Sequence, residues 1–354
     1  MTDMFFCYYC MAKHDFAASP CPKCGKKKNY QQKDRQDLPP GTLLHQRYVV
    51  GRKLGGGGFG ATYIAYDTQT EQVCAVKEFF PHNLCTWEEN ELRVLPNDLE
   101  SAAFEKHMQS FQSEAKKLSS LSFIKGVVNI YENFEENGTA YFSMEYLEGQ
   151  TLSEYVRKNG KNGLPLESAL KLIYSVLKIL RDVHAQGVLH RDISADNVMV
   201  LSNGSLKLID FGAARDMLKT SKTIYSKGVY TAPEQRYGDT QQFCTDLYSV
   251  GVLLFFVVTG RVPKQQRVRL ESLRRVRKWL PTRLYRLYEK ATAVNPNYRY
   301  QNTDDMLREI KEIDRVLFKQ QNDRNQRRKN ILYFLLTVVS LVLVCTLLIV
   351  WFKK

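Results

Sequence analysis

Before about residue 150 the chain alternates short apolar runs with polar or glycine-rich breaks. "RYVVGRKLGGGGFGATYIAYD" reads as a strand, a glycine run and a second strand, and the turn "TQTEQ" leads to a third strand-like run, "VCAVKEFF". "FEKHMQSFQSEAKKLSSL" is helical. "LPLESALKLIYSVLKILRDVHAQG" has Pro near its start, apolar residues at helical spacing and Gly at its end, which predicts a buried helix.

The stretch "HRDISADNVMVLSNGSLKLIDFG", His190 to Gly212, carries the chemistry. The apolar run "VMVL" and the run "LKLI", apolar with one polar interruption, flank "SNGS", and Asn203-Gly204 predicts a tight hairpin, because both residues tolerate the positive φ such a turn needs. A hairpin brings its open ends together, so Asn197 and Asp210 should be neighbours. An amide oxygen beside a carboxylate suits Mg²⁺. Asp192 enters from the preceding loop and is placed to act as a base. An ordinary surface hairpin leaves His-Arg-Asp and Asp-Phe-Gly at the two ends unexplained.

"HRDISADN" and "DFG" resemble the catalytic and metal-binding loops of protein kinases. The resemblance implies an α+β, two-lobed fold, with a β-rich small lobe and a helical large lobe. It also implies ATP and Mg²⁺ as cofactors and protein substrates as partners. Asp192 would orient and deprotonate the acceptor hydroxyl, and Asn197 and Asp210 would hold Mg²⁺. Gly55, Gly57 and Gly60 fit G-x-G-x-x-G, and the strand character of "ATYIAYD" fits the kinase hairpin rather than a Rossmann turn, which opens a helix. Phe59 would sit at the tip, and Thr62 takes the place usually held by Val, facing the base. Lys77, a cation in an apolar strand, would be satisfied by phosphates and a carboxylate. Glu114 in "FQSEAKKL" is the expected partner and Glu105 the alternative. "KEFFP" resembles one group of bacterial serine/threonine kinases.

The same resemblance assigns a hinge to "TAYFSMEYLEGQTL": Met144 at the back of the adenine pocket, and backbone groups of Glu145 and Leu147 on the adenine edge. "GVYTAPE" resembles the segment that docks a protein substrate, with Glu234 paired to Arg299, and Asp246 would brace the catalytic loop. Thr220, Ser221, Thr223, Tyr225 and Ser226 crowd one loop, and Arg191 could hold a phosphate there, so autophosphorylation is expected. Ser194 stands where serine/threonine kinases usually carry Lys. The resemblance spans about Arg47 to Arg315. A small-molecule phosphotransferase on the same fold is a rival, against which "GVYTAPE" counts. A silent scaffold is another, and it predicts a broken Lys, Asp or Asn.

The two ends add modules. Cys7, Cys10, Cys21 and Cys24 form two C-x2-C knuckles, the tetrahedral S₄ set that Zn²⁺ favours, as a structural ribbon open to a protein partner. From Ile331 to Phe352 no residue is charged, and 22 helical residues span roughly 33 Å, against a bilayer core of about 30 Å. "RNQRRKN" precedes this run and only Lys353 and Lys354 follow, so the kinase region is expected on the cytoplasmic side of the cell membrane, with the C-terminus outside. The expected organisation is a zinc ribbon at 1–27, a linker at 28–46, a kinase domain at 47–315, a basic juxtamembrane segment at 316–330 and a transmembrane helix at 331–352. A homodimer through the span is left open, without a G-x-x-x-G face to support it. The chain's net charge of +14 suits an anionic surface, and ten Lys/Arg against two Glu fall between 264 and 290, read as solvated faces of amphipathic helices. Nucleic acid is not expected as a partner.

Overall fold

The computed structural model describes residues 5–14, 19–27, 37–58, 60–88, 91–211, 228–266 and 269–352. Phe59, Gly212 and the loop hydroxyls Thr220, Ser221, Thr223, Tyr225 and Ser226 lie outside the described residues.

The chain opens with a two-stranded ribbon, β1 (Phe5–Phe6) and β2 (Lys13–His14). The small lobe follows with β3 (Leu43–Leu44), β4 (Tyr48–Gly57), β5 (Gly60–Asp67) and β6 (Gln72–Phe79). A short hairpin, β7 (Cys85–Trp87) and β8 (Val94–Pro96), occupies the long connection to helix α1 (Ser101–Ser120). β9 (Ile130–Glu136) and β10 (Thr139–Glu145) complete an antiparallel sheet of order β3-β4-β5-β6-β10-β9.

Alternation along the strands sorts this sheet into two faces. Ala61, Tyr63 and Ala65 of β5 and Cys74 and Val76 of β6 share one apolar cluster. The opposite face carries Thr62 and Ile64, which stand across from Lys77 and Ala75. The first cluster is closed by Leu38 and Leu44, both almost fully buried. This corrects the expected linker at 28–46. Its described part, from Asp37, belongs to the small lobe: Leu43 and Leu44 pair with β4, and the Leu38 N–H donates to the Tyr63 hydroxyl at 3.0 Å. Pro39-Pro40-Gly41 hid the packing, because two isolated leucines give no periodic signal.

Beyond the hinge come β11 (Gly149–Thr151), α2 (Leu152–Asn159) and α3 (Leu166–His184). Thr151 caps α2 in a box with Glu154. β12 (Val198–Leu201) and β13 (Leu206–Leu208) form the central hairpin, with β11 added at its edge. α4 (Pro233–Tyr237) precedes α5 (Phe243–Thr259), whose residues Cys244 to Val258 are all buried. A small hairpin, β14 (Gln265–Gln266) and β15 (Arg269–Leu270), leads to α6 (Leu273–Val276), α7 (Thr282–Ala291) and α8 (Thr303–Phe352). α3 packs against α5 and α8, so the large-lobe core is helix on helix.

The turn at 203–204 differs in detail from its prediction. Gly204 takes the left-handed conformation at φ 81°, whereas Asn203 is not among the positive-φ residues. The Asn203 side chain instead accepts from the Ser205 N–H at 2.9 Å, and the Gly204 N–H reaches the Leu201 carbonyl at 2.9 Å. The Leu201 N–H donates to the Ser205 carbonyl at 2.9 Å, which leaves 202–204 as a three-residue connection that needs positive φ at one position rather than two.

The helix α8 runs without a break through the expected juxtamembrane segment. Among the described residues no helix is long and apolar enough to cross a membrane. The side chains of 338–352, most of the uncharged run, lie outside that description.

Candidate active site

The glycine-rich turn is a hairpin between β4 and β5, closed by the pair Gly57 and Gly60. Gly60 has φ 147°, and a Cβ there would lie 1.9 Å from the Glu78 carbonyl oxygen, so no other residue fits. Gly55, Gly57 and Gly58 face open space.

Lys77 projects from the middle of β6, on the face shared with Thr62. Its ammonium lies 3.7 Å from the Glu114 carboxylate of α1 and forms a direct ion pair with Asp210. Glu114 is buried and Glu105 is exposed, which separates the two alternatives. Phe111 and Phe142 back the ammonium at 5.9 and 5.5 Å from their ring centroids.

At the base of the central hairpin the Ile209 N–H donates to the Asn197 carbonyl at 3.0 Å, which sets Asp210 beside Asn197. The Asn197 amide donates to the Asp192 carbonyl at 2.9 Å and also to the Asp192 carboxylate. Asp192 and Asn197 are nearly buried, whereas the Asp210 side chain keeps 43 % of its exposure. A carboxylate and an amide oxygen at one hairpin base fit a hard divalent ion. Ser194 is buried, and its hydroxyl has no hydrogen-bond partner among the described residues.

Asp246, at the start of α5, holds the catalytic loop in place. One carboxylate oxygen accepts from His184 Nε2 at 2.8 Å and from the His190 N–H at 2.9 Å, and the other accepts from the Arg191 N–H at 2.8 Å. Burial opposes its charge, but His184 and these donors hold the carboxyl below the ordinary carboxylate range. The grip fixes Arg191 at φ 67°, a left-handed conformation that costs a side-chain-bearing residue about 1–2 kcal/mol. Burial pushes His190 down to about 4, so its ring stays neutral against Phe211, 4.2 Å away between centroids.

Glu234 and Arg299 form a buried two-pronged ion pair at 2.6 and 2.8 Å. Gln235, which the sequence did not single out, donates to the Arg191 carbonyl at 2.9 Å and ties this segment to the catalytic loop. In the hinge, the Glu145 N–H donates to the Asn129 carbonyl at 2.9 Å, and its carboxylate pairs with Lys207. Met144 and Leu147 are half-buried against the main core.

A protein kinase domain model matches residues 48–329. The chain belongs to the protein kinase family. It is 30% identical over 286 residues to the serine/threonine-protein kinase PrkC of Bacillus subtilis, which covers 77% of this chain and 41% of that protein. It is 26% identical to the serine/threonine-protein kinase PknD of Protochlamydia amoebophila, over 86% of this chain and 34% of that one. The chain thus spans about two-fifths or less of the length of these relatives. Among solved structures, the apo form of PpkA-294 superposes with a TM-score of 0.67 at 27% identity, covering 78% of this chain and 99% of that chain. The kinase domain of Mycobacterium tuberculosis PknI, at 22% identity and a TM-score of 0.62 over 78% of this chain and 99% of that chain, shows the same fold.

Away from this cluster, the four ribbon cysteines make a second one. Their sulfurs all lie within 4.8 Å of one another, with Cys7 and Cys24 at 3.6 Å and Cys10 and Cys21 at 3.8 Å. A tetrahedral ion with sulfur arms of about 2.3 Å requires edges of about 3.8 Å. A disulfide requires about 2.05 Å, so these are free cysteines, and the set could hold a metal ion. Met11 at φ 55° and Gly25 at φ 68° follow the two knuckles in the same left-handed turn.

Proposed function

We propose that this chain is a membrane-anchored serine/threonine protein kinase that transfers the γ-phosphate of ATP to protein hydroxyls. The observation that carries the reading is the convergence of Lys77, Glu114, Asp210, Asn197 and Asp192 at one cleft edge beneath a glycine-rich hairpin. Lys77, steadied by Glu114, clamps the inner phosphates. Asp210 and Asn197 hold Mg²⁺, which neutralises charge on the transferred group. Asp192 orients the acceptor hydroxyl and takes its proton. The curated relatives named serine/threonine-protein kinases support the choice of acceptor. The Cys7, Cys10, Cys21 and Cys24 cluster binds structural Zn²⁺, and the uncharged run 331–352 anchors the chain in the cell membrane with the kinase domain cytoplasmic. Control by autophosphorylation of the loop holding Thr220, Ser221 and Thr223 belongs to the same reading.

Phosphosite mapping after incubation with Mg-ATP tests it. Phosphoserine and phosphothreonine, absent from an Asp192→Ala chain, are the expected result, and phosphotyrosine alone would overturn the acceptor class. Alanine at Thr220, Ser221 and Thr223 together should lower activity. Alkaline carbonate extraction should leave the chain in the membrane pellet, and release into the supernatant would refute the anchor.

A further inference from the structure

The ribbon does not hang free of the kinase domain. The Tyr8 carbonyl accepts the Arg52 N–H at 2.7 Å, and Arg52 Nε donates to the Tyr9 carbonyl at 3.0 Å. Arg52 lies where the β4–β5 register shifts, between Val50 and Lys53, so its N–H points to the ribbon instead of the ladder. Met11 is 1% exposed and clusters with Ile64 and Tyr66, and the partly buried Leu54, Val73 and Tyr146 pack against that cluster. Gly51 leaves the room for this contact: a Cβ there would lie 2.4 Å from the Met11 sulfur and 2.8 Å from the Tyr8 carbonyl oxygen. Phe6 packs on Tyr66 with centroids 5.0 Å apart, and Lys13 pairs with Glu71 at 2.8 Å.

The location of this contact matters more than its size. Ile64 is two residues from Thr62 on β5, and its partner Ala75 is two residues from Lys77 on β6. Residues two apart share a sheet face, so Met11 packs on the face that carries Lys77. Leu54 immediately precedes Gly55, and Tyr146 lies between the hinge residues Glu145 and Leu147. One apolar cluster therefore joins the ribbon to both flanks of the nucleotide cleft. Met11 also accepts a left-handed backbone to reach it, where the second knuckle uses Gly25.

We propose that the metal-knotted ribbon positions the nucleotide loop: the Tyr8 carbonyl and the Met11 side chain hold the irregular strand β4 and the hinge in register, so nucleotide affinity depends on the integrity of the four-cysteine knot. Tyr8 and Met11 are positioning residues, acting through Arg52, Leu54 and Tyr146. The inference rests on the reading of the cleft as a nucleotide site. It assigns the ribbon a partner within its own chain.

The test is titration of the full chain, in detergent, with a fluorescent ATP analogue and Mg²⁺, alongside hydrogen exchange at the Arg52 amide. Met11→Asp should weaken nucleotide binding about fivefold or more, the lower end of ordinary coupling between sites, and should speed Arg52 exchange. Met11→Leu should restore both, and the melting transition of the large lobe should be retained throughout. Stripping the metal with a chelator should reproduce the loss, and added Zn²⁺ should reverse it. If Met11→Asp fails to fold, Phe6→Ala provides the milder release of the same contact. Wild-type affinity together with fast Arg52 exchange would overturn the proposal and leave the kinase reading intact. A wild-type chain that binds no nucleotide would overturn both.

Discussion

Replacing Asp246 separates loop positioning from direct chemistry, since the residue lies behind the catalytic loop. It accepts three hydrogen bonds, two of them from the backbone N–H groups of His190 and Arg191. Asp246→Ala leaves those donors orphaned at about 1–3 kcal/mol each and removes the bond from His184. With the His184 donor counted at the same cost, the total of about 3–9 kcal/mol is a large part of the 5–15 kcal/mol that typically holds a domain. Asp246→Asn keeps the shape and loses one charge-assisted acceptor, about 1.5–3 kcal/mol. At about 2–4 °C per kcal/mol for a domain of this size, the Asn variant should melt roughly 3–12 °C lower, and Ala lower still. The strained Arg191 would then relax and carry Asp192 out of line, so phosphate transfer should fall further than the Tm shift explains. The wild-type carboxyl titrates below the ordinary carboxylate range, so the clamp is present above that range and lost only as pH falls through its lowered pKa. The gap between wild type and Asn should therefore not vary with Asp246 titration between pH 5 and 8. Differential scanning fluorimetry with a transfer assay decides it, and an Asn variant equal to wild type in both would refute the clamp.

Glu78 is fully buried between the hydroxyls of Tyr63 and Tyr141, each at 3.2 Å, and burial pushes its carboxyl up to about 8. A carboxyl raised in the fold stabilises fully below its unfolded pKa and loses that contribution as pH rises through the folded value. Chemical denaturation at pH 5 and pH 8 should therefore show wild type losing up to about 4 kcal/mol relative to Glu78→Gln, and a constant difference would contradict it. Gly60→Ala should abolish nucleotide binding because its Cβ meets the Glu78 carbonyl, whereas Gly58→Ala, facing open space, should bind normally. Calorimetry reporting equal losses for the two would dispose of that account. Arg299→Lys cannot reproduce two bonds to Glu234 and a third to the Ala293 carbonyl at 2.7 Å, and the melting temperature should drop by several degrees, about 3 kcal/mol.

The hairpin was readable because its signals are local: two largely apolar four-residue runs around a glycine, with chemistry-bearing residues fixed at its ends. The glycine-rich turn was readable for a similar reason, since only glycine fits at Gly60. The parts the sequence concealed depend on contacts between distant segments. Leu38 and Leu44 close the outer face of the sheet, yet nothing within 28–46 distinguishes them from linker residues. His184 reaches Asp246, which holds the catalytic loop, and Gln235 reaches the loop itself, both through side chains that look like ordinary ends of helices. The docking of the ribbon left one trace, Gly51, a glycine inside a strand where close approach of another backbone is a standing explanation. Asn203 shows the opposite lesson: the residue fits a tight turn, but through its side chain rather than its φ.

The most direct measurement is transfer of labelled γ-phosphate from Mg-ATP to a generic protein substrate by the full chain and by its Asp192→Ala variant. The account predicts labelling of Ser or Thr by wild type and a loss of about a hundredfold or more in the variant. Equal labelling by both chains, or none by wild type, would contradict it.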